Sequence, residues 1–271
     1  MVNIRSECYK IYEVLNDRVR TSANANGLSG KRRLSGQIAD LLNILFPGYE
    51  AIVFLDTETT GLNPLSDHII ELSAVRADLT DGSIRFFDAY IRLPYGEHLP
   101  EMITDLTGIT DRHLASYGYW QKDVLEEFWE ILQGERILLA GHNLQFDLCF
   151  LRRALEQERK EDILSLVNAA DYLDTLTVYK DRRPSPHKLS AAMQEYGYPV
   201  LGEHNALVDA GALLCLTCAM GDEREDLSSY INRFGIDPRY GLFGTSIEKV
   251  AYFLQDGMKP TELVKPHYKC R

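Results

Sequence analysis

Apolar and polar positions change their spacing along the chain, and each change marks an element. Residues 5–20 and 31–45 carry apolar side chains at helical spacing, with Leu34, Ile38, Leu41, Leu42 and Leu45 on one face of the second stretch. The Ser-, Asn- and Gly-rich segment 21–30 separates the two as a linker, and Pro47-Gly48 ends the section with a turn. The run 51–55, Ala-Ile-Val-Phe-Leu, is apolar throughout, as in a strand buried on both faces. Alternation with a period of two then spans 69–77 and 83–93 around Asp81-Gly82, which predicts a hairpin with a type I′ turn. Helical spacing returns over 123–133 and stops at Gly134. A second buried strand over 136–140 leads into a helix over 146–159, and 171–175 predicts a short strand. Two helices follow, over 188–196 and 205–220.

A hairpin followed by strands alternating with helices predicts an α/β fold, a mixed sheet flanked by helices. Beyond the charged stretch 222–226, helical patterns cover 226–234 and 246–255, and a polar, loose end follows. The chain thus divides into a helical N-terminal extension (1–49), a compact domain (50–220) and a helical or loose C-terminal extension (221–271), with no internal repeat.

Composition narrows the class. A chain of 271 residues, 45% apolar and 25% charged, has material for one domain of ordinary size with appendages. Its longest apolar runs, 51–55 and 137–140, are far short of a bilayer span. The amino terminus, with Arg5, Glu7 and Lys10 close together, lacks the apolar core of a secretory signal, so a cytoplasmic protein is expected. Five cysteines do not suggest a disulfide framework, and the Cys215-x-x-Cys218 pair sits inside an apolar helix pattern as two small core residues. A net charge of −11 speaks against a long, sequence-independent grip on duplex nucleic acid. It does not exclude a nuclease, because clustered acids that bind cations invert the local field.

Three constellations carry chemistry. The first, Asp56-Thr57-Glu58-Thr59-Thr60-Gly61, directly follows the buried strand. Residues two apart on a strand point to the same side, so Asp56 and Glu58 present paired carboxylates. Two like charges held together need cations or protons, and hard oxygen ligands suit Mg²⁺ or Mn²⁺. The second, His142-Asn143-Leu144-Gln145-Phe146-Asp147, opens a helix, and the third, His204-Asn205-Ala206-Leu207-Val208-Asp209, opens another. Alone, each has an ordinary explanation as a polar strand end, a helix cap or a first-turn acid.

Together, in the order D-x-E, N-x-x-F-D and H-x-A-x-x-D, they resemble the DEDDh (DnaQ-like) 3′-to-5′ exonuclease superfamily. Its members include the proofreading epsilon subunit of bacterial replicative DNA polymerase, ribonuclease T and oligoribonuclease. Ile69-Ile70-Glu71 resembles that family's second strand and 106–110 its substrate-facing loop. Asp174-Thr175-Leu176 and His187-Lys188-Leu189 resemble the approach to the last motif. The resemblance covers about residues 50–220.

The resemblance implies an RNase H-like fold, two divalent cations (Mg²⁺ or Mn²⁺) and removal of nucleoside monophosphates from single-stranded 3′ ends. By motif position Asp56, Glu58, Asp147 and Asp209 are the metal-site carboxylates and His204 the general base. Thr59, Gly61, Leu62, Thr107, Asn143 and Phe146 are placed to meet the terminal nucleotide, with Phe146 equally suited to core packing. Such a mechanism is coherent, since a pair of cations stabilises the attacking and leaving oxygens and a neutral histidine accepts the water's proton near neutral pH. DNA and RNA remain equal candidates. A proofreading subunit docked to a polymerase through the terminal extensions is an alternative, and a non-catalytic nucleic-acid-binding scaffold is one from another class.

Overall fold

The computed structural model describes residues 4–21, 27–202, 204–255 and 260–264. The N-terminal section forms α1 (Ile4–Thr21), the short strands β1 (Gly27–Leu28) and β2 (Arg32–Arg33), and α2 (Gly36–Leu45). The hairpin follows as β3 (Ala51–Thr59), β4 (Ile69–Asp78) and β5 (Ser83–Tyr90), then α3 (Glu101–Thr107), α4 (Asp111–Tyr117) and α5 (Gln121–Phe128). Alternating elements complete the domain: β6 (Ile137–Gly141), α6 (Leu144–Gln157), α7 (Glu161–Ala169), β7 (Asp171–Asp174), α8 (Thr175–Arg182), α9 (Leu189–Glu195) and α10 (Ala206–Glu223). The C-terminal section contributes β8 (Arg233–Ile236), β9 (Ala251–Gln255) and β10 (Pro260–Val264).

The main sheet runs β1-β5-β4-β3-β6-β7, with β2 also paired to β5. β4 is antiparallel to β3 and β5, whereas β6 lies parallel to β3 and β7, giving the expected mixed, RNase H-like sheet. The pleat divides its side chains between two cores. Ala51, Val53 and Leu55 pack with Leu125 and Phe128 of α5 and with Leu144 and Leu148 of α6. Ile52 and Phe54 face the other way, onto Tyr12 of α1, Leu42 of α2 and Leu207 and Leu213 of α10. The apolar face of α2 packs here, since Ile38, Leu41, Leu42 and Leu45 are all buried in that second core, together with Leu34 just before the helix. Cys215 and Cys218 are buried on α10 in the same core, as their apolar surroundings in the sequence predict.

Several elements differ from the sequence expectation. The C-terminal extension, expected to be helical over 226–234 and 246–255, holds a 3₁₀ turn at Leu227–Tyr230 and then the strands β8 and β9. Asn232 adopts φ 56°, which ends any helix there, and its side-chain oxygen accepts from Tyr172 N at 2.9 Å at the edge of β7. Gly235 lets β8 approach Gln255 so closely that a Cβ would meet Gln255 Oε1 at 2.0 Å. Residues 31–35 precede α2 instead of joining it, because the edge of β5 captures them as β2. In the hairpin Gly82 has φ 65° but no described non-glycine there is left-handed, so the turn is not type I′, which needs positive φ at both central residues. The helices α3 and α4 are seven residues each, too short to show a period in sequence. The linker's residues 22–26 and the terminal 265–271 lie outside the described residues. Among the described residues no helix is long and apolar enough to cross a membrane.

Candidate active site

The pleat of β3 decides where its acids go. Ile52 and Phe54 pack beneath α10, so Asp56 and Glu58, on the same face, arrive at the first turn of that helix, where Asp209 sits. Oxygens of Asp56, Glu58 and Asp209 lie within 4.8 Å of one another. Thr57, on the opposite face, meets the first turn of α6 and donates a 2.7 Å hydrogen bond from Oγ1 to Asp147 Oδ1. Asp147, 4% exposed, is not among the three whose oxygens converge within 4.8 Å, but its charge acts on Asp56 and Glu58. Three residues of one strand thus engage two helices at once.

The group is electrostatically loaded. Burial raises the Asp56 carboxyl well above the usual range, and the charges of Asp147, Asp209, Glu58 and Glu71 raise it further. Glu58 is pushed up to about 8 by burial and then by Asp209 and Asp147. Asp147 is pushed up to about 7 by burial, despite the Thr57 bond that favours its ionised form. Desolvated, mutually repelling carboxylates converging within ligand distance are a donor set that divalent cations neutralise. The residues fit hard divalent cations.

The entrance to α10 is fixed from two sides. His204 is half-buried and adopts a left-handed φ of 64°, a conformation uncommon outside glycine though asparagine, aspartate and histidine take it more often than other residues. The next residue, Asn205, caps the helix by accepting from Val208 N at 3.1 Å. Asn205 Nδ2 donates to Glu71 Oε1 at 3.0 Å, and Ala206 N donates to Glu71 Oε2 at 3.3 Å. Glu71 lies opposite Glu58 in the β3–β4 register and is fully buried. Its carboxyl is raised by burial and then by the neighbouring charge of Asp88, itself raised by burial. From the other side Tyr12 of α1 donates from its hydroxyl to the Leu201 carbonyl at 3.1 Å and accepts from Leu201 N at 2.9 Å.

The remaining predicted contacts are placed unevenly. Thr59 Oγ1 donates to the Gly61 carbonyl at 2.7 Å, shaping the loop that leaves β3. Gly61 must lack a side chain, because a Cβ would meet Asp67 Oδ2 at 2.4 Å, and Leu62 beyond it is 75% exposed. Asn143 holds the N-cap position of α6 at φ 71° with its side chain exposed and making no cap bond. Its N–H donates to Asp174 at 2.8 Å, so Asp174 supplies the cap. Thr107 spends its hydroxyl on the end of α3, donating to the Ile103 carbonyl at 2.9 Å and accepting from Ile109 N at 3.1 Å. Phe146 packs between Phe150 and Phe243, with ring centroids 4.9 and 5.0 Å away.

Sequence reasoning passed over Thr57, Glu71, Asp174 and Tyr12 as functional residues. Thr57 carried a usable signal, being the middle of D-x-E and therefore aimed at the other helix layer. Glu71 had a weaker one, an acid inside an apolar strand, where a charge needs a partner. Tyr12 had none, since its partner is far along the chain.

Comparison with known proteins agrees with this geometry. A family model described as exonuclease (RNase T) matches residues 53–217. The PolC-type DNA polymerase III of Pediococcus pentosaceus is 29% identical over 194 residues, which cover 67% of this chain and 13% of the polymerase. That of Latilactobacillus sakei is 31% identical over 193 residues, 70% of this chain and 12% of the polymerase. This chain therefore spans about an eighth of the length of such relatives. Among solved structures, E. coli exonuclease I in its zinc-bound complex with single-stranded DNA superposes with a TM-score of 0.60 at 18% identity, over 67% of this chain and 42% of that one. Exonuclease I of Methylocaldum szegediense does so with a TM-score of 0.57 at 19% identity, over 65% of this chain and 41% of that one. These structures share the fold. With the family model covering more than half of the residues and the acid motifs in place, the chain belongs to the exonuclease family of the DEDDh, DnaQ-like superfamily.

Proposed function

We propose that this protein is a metal-dependent exonuclease that shortens single-stranded DNA or RNA from the 3′ end and releases nucleoside monophosphates. The convergence of Asp56, Glu58 and Asp209 oxygens within 4.8 Å carries the proposal. Asp56, Glu58, Asp147 and Asp209 hold two divalent cations, which when bound neutralise the cluster and acidify the attacking water. His204 takes the proton of that water as general base. Thr57 orients Asp147, while Glu71 and the Asn205 cap hold the turn that presents His204. By motif position Thr59, Gly61, Leu62, Thr107 and Asn143 meet the terminal nucleotide. Phe146 joins them, held by its aromatic neighbours.

The separation of roles is directly testable. His204→Ala is expected to lower turnover by at least a hundredfold while Mn²⁺ still binds with wild-type affinity in titration calorimetry. Full activity in that variant removes the histidine from the mechanism.

A second reading, proofreading within a polymerase assembly, is favoured by one observation: the matched relatives are PolC-type DNA polymerases in which the matched segment is a small part. Co-purification with a polymerase subunit and faster removal of a mispaired than a paired 3′ terminus would support it.

A further inference from the structure

An open groove of about 600 Å³ lies between the loop that leaves β3, α6 and a segment beyond the exonuclease match. One wall is the loop leaving Gly61, with Leu62 and Leu65 each 75% exposed. The floor is α6, the helix that begins beside Asp147 and turns Arg152 and Arg153 into the groove. These lie five and six residues past Asp147, about 7.5–9 Å along the helix axis and on the face of α6 turned away from it. The far wall is the segment 240–245, beyond the last residue matched by the exonuclease model, and it presents Tyr240 at 82% exposure.

This far wall is built, not draped. Gln145 Nε2 donates to the Phe243 and Thr245 carbonyls, both at 2.9 Å, and Tyr252 fixes the Gln145 oxygen at 2.9 Å. Gly244, at φ 64°, lies so close to α6 that a Cβ would meet Cys149 Sγ at 2.4 Å. Phe243 stacks on Phe146, the neighbour of Asp147, so the wall starts at the catalytic end of α6.

Its chemistry is that of a single-strand track. Exposed apolar and aromatic side chains offer faces to bases, and guanidinium groups offer charge to a backbone. Arg153 is only loosely engaged, 3.8 Å from Glu156 with its Nε lacking a hydrogen-bond partner. The groove's charged lining is Arg152, Arg153 and one acid, Glu156, a net positive surface in a chain of net charge −11. Leu62 lines the groove and also belongs to the loop that the exonuclease reading sets against the terminal nucleotide, and on that reading an occupant lies on the 5′ side of the bond to be cut.

We propose that this groove binds the nucleotides upstream of the 3′ end, with Tyr240 as a stacking platform and Arg152 and Arg153 on the phosphates, and that the C-terminal section thereby sets substrate length preference. The proposal rests on the exonuclease reading for its direction, but the groove is testable by binding alone. Fluorescence anisotropy with 5′-fluorescein oligothymidylates of 2, 6 and 12 nucleotides, in EDTA, reads affinity without turnover. Wild-type affinity is expected to rise at least tenfold from 2 to 12 nucleotides. In Tyr240→Ala and in Arg152→Ala/Arg153→Ala, both at exposed or half-buried positions, that gain should shrink to about twofold. The arginine pair should also lower the salt slope of log Kd by about 1.4, at roughly 0.7 per phosphate contact. A length-dependent gain equal in all three proteins overturns the groove, and so does an unchanged salt slope in the arginine variant. Length-dependent binding lost in the variants, together with wild-type protein inert towards the same strands in Mn²⁺, upholds the groove and sinks the exonuclease reading instead.

Discussion

Glu71 Oε1 lies 3.0 Å from Asn205 Nδ2 and accepts its hydrogen bond, tying the second strand of the sheet to the turn that carries His204. Because Glu71 is fully buried, deleting its carboxyl leaves the Asn205 amide and the Ala206 N–H without an acceptor. Stranded donors of this kind cost about 1–3 kcal/mol each, and the turn relaxes to recover them. Glu71→Ala is therefore expected to lower kcat by about ten- to a hundredfold, the usual range for groups that orient a metal-site residue. Glu71→Gln keeps one acceptor and should lose less. Wild-type kcat in both variants would remove Glu71 from the positioning of His204.

The Thr57–Asp147 bond makes a narrower prediction. Thr57→Val keeps the shape of the strand and removes the hydroxyl that donates to Asp147 Oδ1. Binding of Mn²⁺ should weaken by about tenfold or more, with folding intact, because the carboxylate loses its fixed orientation. Unaltered Mn²⁺ affinity would mean that α6 alone places Asp147.

Stability should depend on pH and on cations jointly. In the folded chain Glu58 and Asp147 hold protons up to about 8 and 7, whereas unfolded carboxyls lose theirs near 4. The folded state thus binds more protons across this interval, and stability falls as pH rises from about 4 to 8. Bound cations replace those protons, so Mn²⁺ should raise Tm far more at pH 8 than at pH 5.5. Glu58→Gln should raise Tm in EDTA at pH 8 by a few degrees while abolishing turnover. A cation effect on Tm that is the same at both pH values contradicts the assignment.

Tyr12 links the N-terminal helix to the segment before His204. Its hydroxyl both donates to and accepts from the Leu201 backbone, at 3.1 and 2.9 Å. Tyr12→Phe leaves those two groups unmatched, at a cost of about 1–3 kcal/mol, or several degrees of Tm. It should also lower kcat more than KM. A drop in Tm with unchanged kcat would make α1 a cover for the core and nothing more.

What could be read from the sequence follows the range of each interaction. Asp56 and Glu58 were legible because strand pleat is local, and Asp209 because an apolar helix pattern begins just before it. That Thr57 serves Asp147 depends on α6 lying on the far side of the sheet, a fact of packing rather than of spacing. The mutual influence of the Glu71 and Asp88 carboxyls joins two strands whose register no local pattern reveals. The C-terminal strands were misread as helices because a short segment such as 251–255, Ala-Tyr-Phe-Leu-Gln, suits either period, and only pairing with β8 decides it. Most of the N-terminal section was read correctly as helical, yet its burial against α10 came from the structure alone.

The central claim, that the acidic cluster cuts nucleic acid from the 3′ end, is tested most directly by a time course on 5′-labelled single-stranded DNA and RNA of equal sequence. The reactions run with Mg²⁺, with Mn²⁺ and with EDTA, beside Asp56→Ala. The account predicts a ladder that shortens stepwise from the 3′ end with either cation, disappears in EDTA and is absent in the variant. Intact strands under every condition, or a ladder that survives in Asp56→Ala, would contradict it.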